Sequence, residues 1–85
     1  MSTQKGAVYH ILNDAYKQIS KGYLNDVRKR IINMQISIKT GLNLNTFNED
    51  TNDSEDDIKK ILTIIRGPEI GLKDFDYDFK GDKDE

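Results

Sequence analysis

The chain contains no cysteine and no tryptophan, only one proline, and no run of aliphatic residues longer than two. Without cysteine there is no disulfide, no thiolate metal site and no cysteine nucleophile. Small secreted domains normally depend on such staples, so the composition favours a reducing, cytoplasmic setting. Aliphatic pairs fall far short of the ~20 apolar residues a membrane helix requires. The opening Met-Ser-Thr-Gln-Lys-Gly has no apolar stretch behind it, so neither membrane insertion nor a secretory leader is expected. The single histidine, His10, cannot assemble a zinc site of the usual kind. The glycines are scattered, and no loop of the phosphate-cradling type exists. No cofactor and no metal are expected.

The same absences weigh against an enzyme. His10 and Asp14 stand four apart on a helical pattern, but no nucleophile accompanies them. The carboxylates gather in a loop, a helix start and a tail rather than in an apolar cleft that would tune them for acid–base work. A non-enzymatic, partner-binding role is the reading that remains.

Charge is unevenly distributed. Residues 1–40 carry seven cations against two acids (+5), while residues 41–85 carry six against thirteen (−7), which gives the net −2. Such a split marks a nucleic-acid surface, an acidic interaction tail, or two halves that attract each other. The abundance of Asn, Ile and Lys is the bias of AT-rich coding and points to a phage or viral accessory protein.

Three helices are predicted. Over residues 4–20, Val8, Ile11, Leu12, Ala15 and Ile19 form one apolar stripe, with Ser2 or Thr3 as cap and Gly22 as stop. Over 23–39, Leu24, Val27, Ile31, Met34 and Ile38 step by three and four, the spacing of a coiled-coil seam. Ile32 and Ile36 add a second ridge, so this helix needs cover on two sides, by another helix and by a second subunit in a homodimer. The competing reading is α+β, with a short hairpin around residues 34–45 in which Met34, Ile36 and Ile38 alternate with polar residues. Residues 41–53 read as a loop, mobile at 48–52. Over 55–66, Ser54 caps, three acids occupy the first turn, Ile58, Ile61, Leu62 and Ile65 form the buried face, and Gly67-Pro68 stop the helix.

After Gly71 comes Asp74-Phe75-Asp76-Tyr77-Asp78-Phe79, acid and aromatic in strict alternation. An extended chain would place Phe75, Tyr77 and Phe79 on one side and Asp74, Asp76 and Asp78 on the other. Aromatics left in water forfeit roughly 1.5–3 kcal/mol each, so they must cover either a partner or this chain's own core. The tail also half-matches a calcium loop, but Phe79 occupies the position that requires glycine.

The expected architecture is all-α, a small three-helix bundle (residues 1–70) followed by an irregular acidic and aromatic tail (71–85). The expected function is that of a small regulatory or inhibitory protein acting by protein–protein binding. Phe75, Tyr77 and Phe79 are its anchors, and Asp74, Asp76 and Asp78 supply charge complementarity. Two alternatives accompany it. One is a nucleic-acid-binding regulator using Lys21, Arg28, Lys29 and Arg30. The other is a structural assembly subunit, self-associating through the Leu24–Ile38 seam.

Overall fold

The computed structural model describes residues 3–19 and 25–77. Its elements run β1 (Thr3–Lys5), α1 (Ala7–Ile19), α2 (Asn25–Thr40), a 3₁₀ turn (Leu44–Thr46), β2 (Asn52–Ser54) and α3 (Glu55–Arg66). The chain is compact and predominantly helical, with the three helices expected from periodicity and a small two-stranded sheet that was not, and the helices do not form a clear bundle. Helix α3 lies at the centre, and α1 and α2 each pack against it.

The first helix begins later than its apolar period suggests. Residues 4 and 5 belong to β1, which pairs antiparallel with β2 in the register Thr3↔Ser54, Gln4↔Asp53, Lys5↔Asn52. Gly6 turns the strand into the helix at φ +69°, and its N–H donates to Thr51 O at 2.8 Å. A Cβ there would lie 2.8 Å from the Glu49 carbonyl oxygen, so both the backbone angle and the close approach demand glycine. Thr3 lies in the strand and is no cap. The first turn of α1 is instead satisfied from 45 residues away, where Asp53 Oδ2 accepts from the buried Val8 N–H at 2.9 Å. A carboxylate there also meets the positive end of the helix dipole.

The α1 stripe packs as its spacing requires: Ala7, Val8, Ile11, Leu12 and Ala15 are buried. Helix α3 follows its sequence closely. The Ser54 hydroxyl accepts from Asp57 N–H at 3.2 Å, Ile58, Ile61, Leu62 and Ile65 are buried, and Gly67 ends the helix.

Residues 34–40 are helical, which overturns the hairpin alternative. The alternation of Met34, Ile36 and Ile38 reflects two faces of one helix rather than two faces of a strand. Gly41, at φ +76°, closes α2 by donating to Ser37 O at 2.8 Å. The segment expected to be a mobile loop is built. Asn43 caps the 3₁₀ turn, and Leu44 enters the core. Asn48 and Thr51 lock a turn through Asn48 N–H to Thr51 Oγ1 and Thr51 Oγ1–H to Asn48 O.

Beyond α3 the chain turns back. Gly71 N–H donates to Gly67 O at 2.7 Å, and Leu72 N–H to Ile65 O at 3.1 Å. Ile70, Leu72 and Tyr77 pack half-buried against the core, and Phe75 enters it.

Candidate functional site

Helix α2 has two apolar ridges, and the structure assigns them opposite duties. Ile32 and Ile36 are buried, Ile36 completely. The seam residues are not: Val27 is 46% exposed, Ile31 50%, Met34 60% and Ile38 73%. At 100° per residue the two ridges lie about 150° apart around the helix, so burying one against α3 turns the other outward. The exposed seam runs through Val27, Ile31, Met34 and Ile38 for three turns, about 17 Å. Leu24, its first member in the sequence, falls outside the described residues. Together the four side chains expose on the order of 400 Å² of apolar surface, within the roughly 300–600 Å² typical of a monomer's largest and often functional patch.

The flanks of this stripe are cationic. Arg28 stands on one side and Arg30 on the other, both exposed, with half-buried Gln35 and Ser37 one heptad further along. Over Asn25–Thr40 there are four cations (Arg28, Lys29, Arg30, Lys39) against one acid, Asp26. Three of the four make contacts within the chain. Lys29 Nζ lies 5.7 Å above the Tyr16 ring. Lys39 pairs with Glu69 at 3.0 Å and holds that carboxyl below its ordinary range, first by the hydrogen bond and then by charge. Arg28 reaches the Ile19 carbonyl at 3.5 Å, a long contact on the surface.

Beside the stripe runs an open groove of about 220 Å³, walled by Ile19, Ile32 and Ile70 and rimmed by Arg28, Gln35 and Glu69. Ile70 and Glu69 reach it because the chain reverses after Pro68, and nothing in their local sequence announces the contact. A second hollow of about 260 Å³ gathers Tyr9, Tyr16 and Phe47 with Asn13, Asn33 and Asn45. There the Tyr16 hydroxyl donates to Asn33 Oδ1, joining α1 to α2. Burial pushes the Tyr16 phenol above its ordinary value, partly offset by the Asn33 hydrogen bond.

The tail expected to supply anchors is docked in cis as far as it is described. Phe75 is 4% exposed, its carbonyl accepts from Arg66 Nε at 2.8 Å, and its N–H donates to Leu72 O. Tyr77 is half-buried against the core. Asp74 and Asp76 face outward, so the alternation holds with the core as the surface the aromatics cover. Asp78 and Phe79 lie outside the described residues, as does Lys21 of the basic set. Of that set, Arg28 and Arg30 share the exposed side of α2, whereas Lys29 turns toward α1.

His10 is exposed and edge-on to Tyr9, with ring centroids 5.4 Å apart. Among the described residues no three His, Asp or Glu side chains group closely enough to hold a metal ion. No described helix is long and apolar enough to cross a membrane. Protein-family models, curated proteins and solved structures offer no significant match to this chain. The functional reading therefore rests on its own residues.

Proposed function

We propose that this chain is a small non-enzymatic binding protein, regulatory or inhibitory in role, that engages another protein through the outward face of α2. The observation that carries this is the exposure of Val27, Ile31, Met34 and Ile38 on a helix whose opposite ridge is buried. Four large apolar residues at three-and-four spacing are what a helix offers to a hydrophobic groove or a second helix. Folding of the chain gains nothing from leaving them in water, whereas a partner that covers them does. Phe75, by contrast, is already occupied within the chain, so docking is better supported on α2 than on the tail.

Site-specific photocrosslinking tests the proposal. A photoreactive residue placed at Met34 or Ile38 in the native host should give a discrete protein adduct. The same residue at exposed Gln18 or Lys59 should not. Equal adducts from all four positions, or none from the α2 pair, would contradict it.

A further inference from the structure

The partner's chemistry follows from what surrounds the stripe. We infer that the outward face of α2 is complementary to an acidic amphipathic surface, apolar along its centre with carboxylates on its rim, and not to a second copy of this chain. The inference rests on the docking role proposed above and adds the charge of the occupant.

A two-fold dimer uses the same patch on both subunits, so the patch must be complementary to itself. This one is not. Its flanks present Arg28 and Arg30 with neutral Gln35 and Ser37, and the described acids beside them are Asp26, one turn before Arg30, and Glu69, which Lys39 already pairs. Packed antiparallel on itself, the stripe would set Arg28 against Gln35 and Arg30 against Ser37, and the one described carboxylate beside Gln35, that of Glu69, is already taken by Lys39 at 3.0 Å. Packed in parallel, it would bring both arginine pairs to the same end, with one Asp26 from each copy set among four guanidinium groups. Carboxylates on a foreign rim would instead receive both arginines, and arginine–carboxylate pairs bind in a directed, forked geometry.

Area leads the same way. On the order of 400 Å² is about half the ~800 Å² that each partner contributes to a standard interface. The apolar stripe alone is therefore small, and the bracketing arginines together with the adjoining Ile19–Ile70 groove are needed to complete it. An anionic bilayer also attracts basic amphipathic helices. Here, however, the apolar seam is narrow, and its described members, Val27, Ile31, Met34 and Ile38, include none of the Trp, Phe and Leu that usually line such a helix.

The test uses the full chain, isotope-labelled, with α2 amide resonances as the readout. The probes are a synthetic heptad peptide with Leu at the seam and Glu on both flanks, its counterpart with Lys on the flanks, and vesicles containing phosphatidylserine. Sedimentation without any probe reports self-association. We expect the Glu-flanked peptide to shift residues 27–38 and to bind about tenfold more tightly than the Lys-flanked one, about 1.4 kcal/mol. That preference should shrink as salt rises from about 0.01 M to about 0.15 M and the screening length falls from about 30 Å to about 8 Å. The double variant Arg28→Glu/Arg30→Glu, which keeps the seam intact, should reverse the order of the two peptides. Equal binding of both peptides, preference for the Lys-flanked one, or a dimer abolished by Ile31→Asp would overturn the charge inference and leave the docking role standing. A response to vesicles alone, or no response of α2 to anything, would overturn both.

Discussion

Asp53 offers the sharpest test of how this small fold is held together. Its side chain is 1% exposed, with Oδ2 at 2.9 Å from the Val8 N–H in the first turn of α1. Oδ1 has no protein hydrogen-bond partner among the described residues. Asp53→Ala removes the acceptor that caps the first turn of α1 and leaves the Val8 N–H buried without a partner, which costs about 1–3 kcal/mol. Relief of the unpartnered Oδ1 offsets part of this, so a net loss of about 2 kcal/mol is expected. In a domain of this size each kcal/mol moves the melting temperature by about 4–8 °C, so Asp53→Ala should melt about 8–16 °C lower. Asp53→Asn retains an oxygen acceptor and loses only the charge at the helix end, about 0.3–1 kcal/mol. Thermal and urea unfolding followed by circular dichroism measure both. If Asp53→Ala stayed within about 0.5 kcal/mol of wild type, or if Asn proved as damaging as Ala, the capping account would be wrong.

Three further outcomes follow from particular contacts. Gly6→Ala should destabilise by about 2 kcal/mol or more in urea titration, because it adds a left-handed backbone penalty of about 1–2 kcal/mol to a 2.8 Å approach to the Glu49 carbonyl. Phe75→Ala should cost about 3 kcal/mol, as for other buried aromatics, and loss of that stability would show that the tail serves the core. Since burial raises the Tyr16 phenol above its ordinary value of 10.0, folding favours its neutral form. That contribution is complete below pH 10 and is lost as the pH climbs past it toward the folded value. The decline of stability at alkaline pH should accordingly be shallower in Tyr16→Phe, measured by denaturant titration across about pH 8–11.

Much of this architecture was legible in the sequence because periodicity and capping are local signals. Helix α3 shows both: Ser54, the acids after it, the four buried apolar residues and Gly67-Pro68 all fall where reasoning places them. The two ridges of α2 were legible as well, but which of them faces inward was not. Spacing alone treats Ile32–Ile36 and Val27–Ile38 alike, and only the position of α3 decides. The sheet left no trace. Thr3–Lys5 and Asn52–Ser54 are short, polar and far apart in the chain, with none of the alternation of a half-buried strand. Asp53 was equally silent, an acid within an Asn- and Asp-rich stretch whose burial depends on a helix 45 residues away. For the candidate site, the seam residues and their flanking arginines were visible, whereas the Ile70 side of the groove was hidden in a chain reversal. In the tail, alternation could not say what the aromatics cover; Phe75 is taken up by the core, and Asp78 and Phe79 lie outside the described residues.

The central claim is that the Val27–Ile38 stripe belongs to recognition and not to the folded core. The unfolding free energy of Ile31→Asp/Met34→Asp, measured beside Ile36→Ala in the same buffer, tests it most directly. The account predicts that the double surface variant loses no more than about 1–1.5 kcal/mol, the helix-propensity cost of two aspartates and the half-burial of Ile31, while the single core variant loses about 2–5 kcal/mol. A loss of several kcal/mol from the two aspartates would contradict it, because the stripe would then be part of what holds the chain folded.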